Sequence, residues 1–284
     1  MTSTRVVYVA TGIKYLNLAR ISIESLRVQE PYVEIYLFTD QKVSWSSLLN
    51  VTVIIVDGIE HNWFDKYIGI FQFCDKNVIY LDCDTIIVNK FVENFEKGFQ
   101  TFQLMGRGSM GFNHPYEFES VPRVLSQINT GVLGIRRDII ENLRKTFDKY
   151  RNEIQLKRFE SFFTDQSAFR LMVYRENLIF CQLTADYNFQ DYDFVTDKIY
   201  ILHFAANHEL MFNKKFISKT LNFATLALPG DMWLRWQPFI GQRVNVHALT
   251  DFLLQFHLLK LKMLLYRNIF VKRIWDYLKT LRRL

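Results

Sequence analysis

The sequence contains only three cysteines, Cys74, Cys83 and Cys181, and no Cys-x-x-Cys pair. Because their number is odd and they are not clustered, neither a disulfide framework nor a cysteine zinc site is indicated. The first residues also lack the long apolar segment and the small-residue cleavage site of a signal peptide. These absences favour a reducing compartment, and we expect a cytoplasmic protein.

Several common catalytic signatures are absent as well. The glycine-rich stretch "MGRGSMGFNHP" (105–115) lacks the Gly-Lys-Ser/Thr ending of a Walker loop, so we interpret it as a mobile loop over a substrate site or an ordinary turn. His203 and His208 are five positions apart and do not share one helix face, which excludes a zinc-protease motif. No nucleophile elbow indicates Ser/His/Asp catalysis.

Apolar and amphipathic segments alternate along the chain. The first half predicts strands at 5–11, 33–40, 51–57 and 77–84 and helices at 15–27 and 62–73. The second half predicts a strand at 127–137, helices at 138–154 and 162–175, and a last strand at 198–204. This order indicates an α/β fold, in which a mostly parallel, Rossmann-like sheet is covered by helices on both faces.

The predicted strands end in polar residues, namely Thr11, Asp40, Asp57, Asp82 and Asp84. Ligands of parallel sheets bind beyond these carboxyl ends. In "NVIYLDCDTIIVN" (77–89), the spacing of Asp82 and Asp84 on a strand would point both carboxylates to one side. Such a pair needs a proton, hydrogen bonds or a cation, and Mg²⁺ or Mn²⁺ suits oxygen ligands. Helix capping or ordinary salt bridges are the alternative.

Six pieces of the sequence, in order across roughly residues 5–220, resemble the glycosyltransferases of the glycogenin and lipopolysaccharide galactosyl/glucosyltransferase type. They are "VYVATGIKYLNLARISIESL", "FTD", "DKYIGIFQFCDKNVIYLDCDTIIV", "INTGVLGI", "TDQSAF" and "ILHF". The resemblance implies a glycosyltransferase-A fold and transfer of a hexose with retention of configuration. It also implies Mn²⁺ or Mg²⁺ and a nucleotide-sugar donor, with a UDP-hexose expected.

The resemblance assigns roles to individual residues. It implies that Asp82, Asp84 and His203 bind the metal, and that Asp165 and Gln166 contact the transferred sugar and support catalysis. It further implies that the nucleotide-sugar is bound by Ala10, Thr11, Tyr15, Lys66, Asp82, Asn129 and Thr130. Without the resemblance, His203 would be interpreted as a hydrogen-bonded core histidine. The corresponding alternatives are a helix-start aromatic packed on the sheet for Tyr15 and a solvated helix lysine for Lys66.

One motif of the family is missing. The family usually follows its histidine with a glycine and then Lys-Pro-Trp, whose lysine binds the diphosphate, whereas this sequence continues "HFAANHELMFNKKF". Either Lys214 or Lys215 takes that role, or phosphate binding is weaker. This departure leaves open a catalytically weakened, membrane-attached binding or scaffold protein. A sugar nucleotidyltransferase is a further alternative, although no basic glycine-rich loop follows the first strand.

The positive charge of the chain is concentrated at its end. A change in composition near 228–250 separates a predicted catalytic domain, 1–235, from a basic amphipathic helical tail, 236–284. Residues 251–284 hold eight Lys/Arg against two Asp, which accounts for the whole net charge of +6 and argues against a nucleic-acid surface. No apolar run in this tail is long enough to span a bilayer.

The tail predicts a location and an acceptor. Its apolar residues alternate with Lys and Arg, which suits helices lying on an anionic membrane surface, although packing on a protein surface would use the same pattern. We therefore expect a peripheral protein on the inner face of the cell membrane. Its predicted function is a metal-dependent hexosyltransferase acting on a glycan or lipid-linked acceptor, as in polysaccharide or lipopolysaccharide biosynthesis.

Overall fold

The computed structural model describes residues 4–108, 121, 125, 127–156, 164–190, 198–204 and 211. In chain order, the strands are β1 (Thr4–Ala10), β2 (Glu34–Thr39), β3 (Val51–Ile55), β4 (Asn77–Leu81), β5 (Thr85–Ile87), β6 (Leu104–Gly108), β7 (Ile128–Ile135), β8 (Phe180–Leu183) and β9 (Ile201–His203). The helices are α1 (Ile13–Gln29), α2 (Lys66–Ile70), α3 (Val92–Phe99), α4 (Arg137–Leu156) and α5 (Thr164–Arg175). None of the described helices is long and apolar enough to cross a bilayer.

Seven strands form one sheet in the order β3-β2-β1-β4-β7-β6-β8. Strands β3, β2, β1 and β4 are mutually parallel, whereas β7 runs antiparallel to both β4 and β6, and β8 is parallel to β6. The predicted α/β class and the mostly parallel sheet are therefore confirmed. All seven residues of β1 are buried, as expected for a central strand with helices on both faces.

A hydrophobic core joins the sheet to α2, α4 and α5. Aromatic rings dominate its centre, where the rings of Tyr67 and Phe147 lie 3.8 Å apart between centroids. The core continues along α4 and α5 through the buried residues Ile140, Leu143, Phe147, Tyr150, Ile154, Ala168, Phe169 and Met172. This packing fixes the start of α5, and with it Asp165, against the start of β7.

Several predicted boundaries were wrong. The predicted strand 77–84 ends at Leu81, and the chain turns before the short strand β5. Residues 105–108 of the predicted glycine-rich loop belong to β6; residues 109–115 lie outside the described part of the chain. The predicted helix 62–73 is a 3-10 turn, Trp63–Asp65, followed by the short α2. The helix α3 and the strands β5 and β8 were not predicted from the sequence.

The chain forms two compact units, and all the elements above belong to the first, which comprises Met1–Phe189 and Ile199–Asn213. The second comprises Gln190–Lys198 and Lys214–Leu284. The predicted tail, 236–284, and the lysines at 214 and 215 lie outside the described residues. The proposed domain boundary at residue 235 therefore stays a prediction.

Candidate metal and nucleotide-sugar site

The topology of the sheet brings distant parts of the sequence to one edge. The parallel strands β1, β2 and β4 end there, and the antiparallel strand β7 begins there. The backbone N–H of Asp82 donates to the carbonyl of Gly131 at 2.8 Å, which extends the β4–β7 pairing past the end of β4. The "INTG" segment therefore faces the Asp82–Asp84 turn.

Asp82 and Asp84 lie in the turn between β4 and β5. A side-chain hydrogen bond closes this turn, because the hydroxyl of Thr85 donates to the carbonyl of Asp82 at 2.8 Å. The carbonyl of Asp84 accepts from the N–H of Phe204 at 2.9 Å, which ties the turn to the end of β9. A turn, and not the alternation of a strand, therefore brings the two carboxylates together.

His203 completes a cluster with these two acids. In the small β5–β9 sheet, Thr85 pairs with His203, so the histidine lies directly beside the turn. Its Nε2 lies 3.3 Å from Asp84 Oδ1 and 3.7 Å from Asp82 Oδ2. One potential ligand atom of each residue lies within 4.8 Å of the others.

Two carboxylates and one imidazole suit a divalent cation such as Mn²⁺. Burial lowers the pKa of His203, but the charges of Asp84 and Asp82 outweigh this effect and raise the pKa above its ordinary value. The two acids therefore favour the protonated form of the ring. The donor set fits the metal that the resemblance implies.

The two carboxylate oxygens of Asp82 have different surroundings. Oδ2 faces His203, whereas Oδ1 accepts from the Tyr80 hydroxyl at 2.6 Å and lies 3.4 Å from the Lys66 ammonium. The aspartate therefore connects the candidate metal cluster, which consists of Asp82, Asp84 and His203, to a second cluster around Lys66.

The second cluster is buried. The ammonium of Lys66 donates to the Thr130 hydroxyl at 3.0 Å and lies 3.1 Å from Asp165 Oδ2, which also accepts from Thr130 at 2.6 Å. Burial lowers the pKa of Lys66, but Asp165 and Asp82 outweigh burial and raise it above the ordinary value. Lys66 is therefore a permanent cation between two acids.

Local structure fixes the position of Lys66. The preceding 3-10 turn begins with a capping box, in which the Asn62 side chain accepts from the N–H of Phe64 and the Asp65 side chain accepts from the N–H of Asn62. This arrangement satisfies the free backbone donors at the start of the turn. Lys66 follows immediately as the first residue of α2.

A separate group of predicted residues lies where β1 meets α1. Ala10 is buried, Thr11 is half-buried and Tyr15 is 40% exposed. Gly12 has φ +80° in the loop between β1 and α1, and its N–H donates to Asp40 Oδ1 at 2.8 Å. Burial, and after it the charge of Asp84, raise the pKa of the Tyr15 hydroxyl above its ordinary value.

The remaining predicted residues lie at the starts of β7 and α5. Asn129 Oδ1 accepts from the N–H of Gly131 at 2.9 Å, so its side chain lies alongside its own strand. Asp165 is buried, and Gln166, the next residue on α5, is half-buried. The structure thus joins Asp165 and Thr130 directly to Lys66.

Three contributors to the site were missed by the sequence analysis. A β-carbon at Gly131 would lie 2.3 Å from His203 Cε1 and 2.9 Å from Asp82 Oδ2, so only glycine permits this approach. Tyr80 binds Asp82, and Asn188 binds His203 Nδ1 at 2.8 Å. The "INTG" motif contains Gly131, but no pattern in the sequence singles out Asn188.

The fold matches those of several solved glycosyltransferases. The glycosyltransferase GlyE of Streptococcus pneumoniae matches over 81% of this chain and 66% of its own, just under two thirds, with a TM-score of 0.57 and 16% identity. The galactosyltransferase LgtC, solved with donor and acceptor sugar analogues, matches over 80% of this chain and 98% of its own, with a TM-score of 0.56 and 12% identity.

Mouse xyloside xylosyltransferase 1 matches over 72% of this chain and 98% of its own, with a TM-score of 0.52 and 14% identity. No protein-family model and no curated protein sequence matches the chain. Similarity at these identities is a similarity of fold. The fold expected from the sequence is confirmed: the chain has the glycosyltransferase-A fold that these enzymes share.

Proposed function

We propose that the protein is a metal-dependent, retaining glycosyltransferase that moves a hexose from a nucleotide-sugar, with UDP-hexose as the expected donor, to a glycan or lipid-linked acceptor. The single observation that carries the proposal is the convergence of Asp82, Asp84 and His203 within 4.8 Å at the ligand-binding edge of this fold. Three ligands of this type leave room for the oxygens of a diphosphate.

The residues around the cluster have roles consistent with this chemistry. Asp82, Asp84 and His203 would hold the cation, which when bound would stabilise the charge of the departing diphosphate. Tyr15 would stack on the base, with Ala10 and Thr11 beside it. Asn129 and Gln166 would orient the sugar.

Lys66 and Asp165 would act on the sugar side of the site. Because the lysine is a permanent, buried cation, its field is fixed before any substrate binds, and such preorganised charge is effective in catalysis. Asp165 already pairs with Lys66 and accepts a hydrogen bond from Thr130, so its carboxylate is held in place to stabilise positive charge at the anomeric carbon. We therefore assign both residues to transition-state stabilisation.

The tail residues 251–284 support a peripheral membrane location through their charge. A lipid-linked acceptor would suit such a location. The sequence departure after His203 favours, as a second candidate, a weakened homologue that binds a nucleotide-sugar without transferring the sugar. The assay below separates the two.

The decisive assay measures nucleoside diphosphate release from a panel of nucleotide-sugars with Mn²⁺, with and without a chelator. We expect metal-dependent release that Asp84→Ala abolishes. Asp57→Ala is the matched control, because Asp57 also follows a strand of the sheet but is exposed. Nucleotide-sugar formation from a sugar phosphate would instead indicate a nucleotidyltransferase. Donor binding without release would indicate the weakened homologue.

A further inference from the structure

The side of the His203 ring opposite the acids contacts Asn188. Nδ1 of the ring lies 2.8 Å from Asn188 Oδ1, and the two residues are 6% and 0% exposed. A neutral imidazole carries one hydrogen, and the partner of one nitrogen decides which nitrogen keeps it. The orientation of the Asn188 amide therefore determines whether Nε2 of the neutral ring carries a hydrogen or a free lone pair.

A backbone group sets that orientation. The N–H of Gly131 can only donate, so the Asn129 atom that it contacts at 2.9 Å is the carbonyl oxygen Oδ1. The same oxygen lies 2.9 Å from the Asn188 amide, whose contacting atom must be the donor Nδ2. Oδ1 of Asn188 then faces the ring and can only accept, so Nδ1 of His203 carries the hydrogen.

We propose that Asn188 is a positioning residue, which holds a hydrogen on Nδ1 of His203 and thereby leaves the lone pair of Nε2 for a divalent cation at Asp82 and Asp84. The inference rests on the proposed function, because it takes this cluster to be the metal site. Without Asn188, the ring would keep its hydrogen on Nε2 and donate to Asp84, 3.3 Å away. That tautomer has no lone pair facing the acids.

The backbone holds Asn188 in place. Its carbonyl accepts from the buried guanidinium of Arg107 at 2.5 Å, and its N–H donates to the carbonyl of Ala185 at 3.1 Å. The N–H of His203 donates to the carbonyl of Phe189 at 2.8 Å, so asparagine and histidine are joined through the main chain as well. The amide and the ring therefore cannot separate without breaking several hydrogen bonds.

This network also limits what Asn129 can do. Both acceptor positions of its Oδ1 are occupied, one by Gly131 and one by Asn188. Asn129 can therefore contact a sugar hydroxyl only as a donor, through Nδ2. Asn129 would thus use Oδ1 to orient Asn188 and Nδ2 to contact the sugar.

The test uses full-length protein labelled with ¹⁵N-histidine and free of metal, at alkaline pH where the ring is neutral. We expect Nδ1 of His203 to carry the hydrogen in the wild type and in Asn188→Asp, which keeps an acceptor. In Asn188→Ala we expect the hydrogen to move to Nε2. Signals are assigned with His203→Gln, and Asn94→Ala is the control, because the Asn94 amide binds the Tyr187 hydroxyl outside the site.

A second measurement follows Mn²⁺ by electron paramagnetic resonance in the presence of UDP. Loss of a partner that orients a ligand costs about 10–100-fold in metal affinity, and we expect this loss in Asn188→Ala, with partial recovery in Asn188→Asp. A wild-type ring with its hydrogen on Nε2, or an Nδ1 hydrogen that persists in Asn188→Ala, would overturn the proposal. Absence of Mn²⁺ binding in the wild type would refute the metal site, while the nitrogen spectra would still decide the tautomer.

Discussion

The ammonium of Lys66 lies 3.1 Å from a carboxylate oxygen of Asp165, and the two side chains are 9% and 4% exposed. The same ammonium lies 3.4 Å from Asp82. Lys66 thus pairs with Asp82 in the metal cluster and with Asp165 at the start of α5. The negative charge gathered at this edge of the sheet is balanced partly by Lys66 and partly by His203, before any metal is considered.

Replacing Lys66 by methionine tests this balance. Removing one partner of a buried pair leaves an uncompensated charge and costs about 3–5 kcal/mol, so we expect Lys66→Met to lower the free energy of unfolding by that amount in urea titrations. Adding Asp165→Asn should recover part of the loss, because it removes one of the acids left unpaired. Lys97→Met, which breaks an exposed pair with Glu93, should leave stability nearly unchanged.

Gly131→Ala tests the close approach of β7 to the metal cluster. The new β-carbon would displace His203 or Asp82, so we expect Mn²⁺ affinity to fall about 10–100-fold, as for other changes that disturb ligand orientation. Overpacking should also lower the free energy of unfolding by about 1–3 kcal/mol.

Gly134→Ala on the same strand is the matched control, because its β-carbon would lie 2.6 Å from Phe95 Cδ1 in the core. It should destabilise the protein without changing Mn²⁺ affinity. Equal affinities for the two variants would contradict the placement of Gly131 beside the metal ligands.

The raised pKa of His203 predicts that the stability of the metal-free protein and its affinity for Mn²⁺ change in opposite directions with pH. A pKa raised in the folded protein stabilises the metal-free fold at low pH, and this contribution is lost as pH rises through the folded pKa. Metal binding needs the Nε2 proton to leave, so Mn²⁺ affinity should rise over the same range. Thermal midpoints with and without Mn²⁺ should therefore diverge as pH rises from about 6.5, the ordinary histidine pKa, through the raised pKa of the folded protein. A constant difference would exclude His203 as a ligand.

Tyr15 is expected to stack on the nucleotide base. Base–aromatic stacking contributes about 1–3 kcal/mol, so Tyr15→Ala should weaken UDP binding by roughly one to two powers of ten, whereas Tyr15→Phe should retain it. Calorimetric titration measures both. Tyr32→Ala, at a tyrosine that is 92% exposed, is the control. A loss in Tyr15→Phe as large as in Tyr15→Ala would show that the hydroxyl, not the ring, is what matters.

The basic tail should bind anionic membranes. A basic residue near an anionic surface contributes about 1 kcal/mol, so neutralising Lys272 and Arg273 with glutamine in the full-length protein should weaken liposome binding by about 2 kcal/mol, or roughly 30-fold. The control neutralises Arg144 and Lys145, another adjacent Arg–Lys pair, on α4. Co-sedimentation with anionic vesicles provides the measurement, and equal losses in the two variants would contradict a specific role of the tail.

The sequence predicted the fold best where a local residue pattern is compatible with only one type of secondary structure. The apolar runs predicted β1 and β2 within about two residues of their observed ends, since a strand buried on both faces tolerates little else. The strand β4 ends at Leu81, earlier than predicted. The alternating residue pattern of the strand continues through Asp82–Asp84, although the backbone turns there, so the sequence alone did not mark the end. The strand β6 was misread as a loop, because its glycines suggest a turn and only its pairing with β7 and β8 makes it a strand.

The amino-acid sequence by itself determined the alternation of strands and helices, the acids at the strand ends and the concentration of charge in the tail. These features depend on residue type and spacing along the chain. Only the tertiary structure decided which atoms meet: Thr130 contacts Lys66 across 64 positions, and His203 has Nδ1 against Asn188 and Nε2 toward the two acids. Such contacts depend on the register of β7 against β4 and of β9 against β5, and sequence spacing carries no record of a register between distant strands.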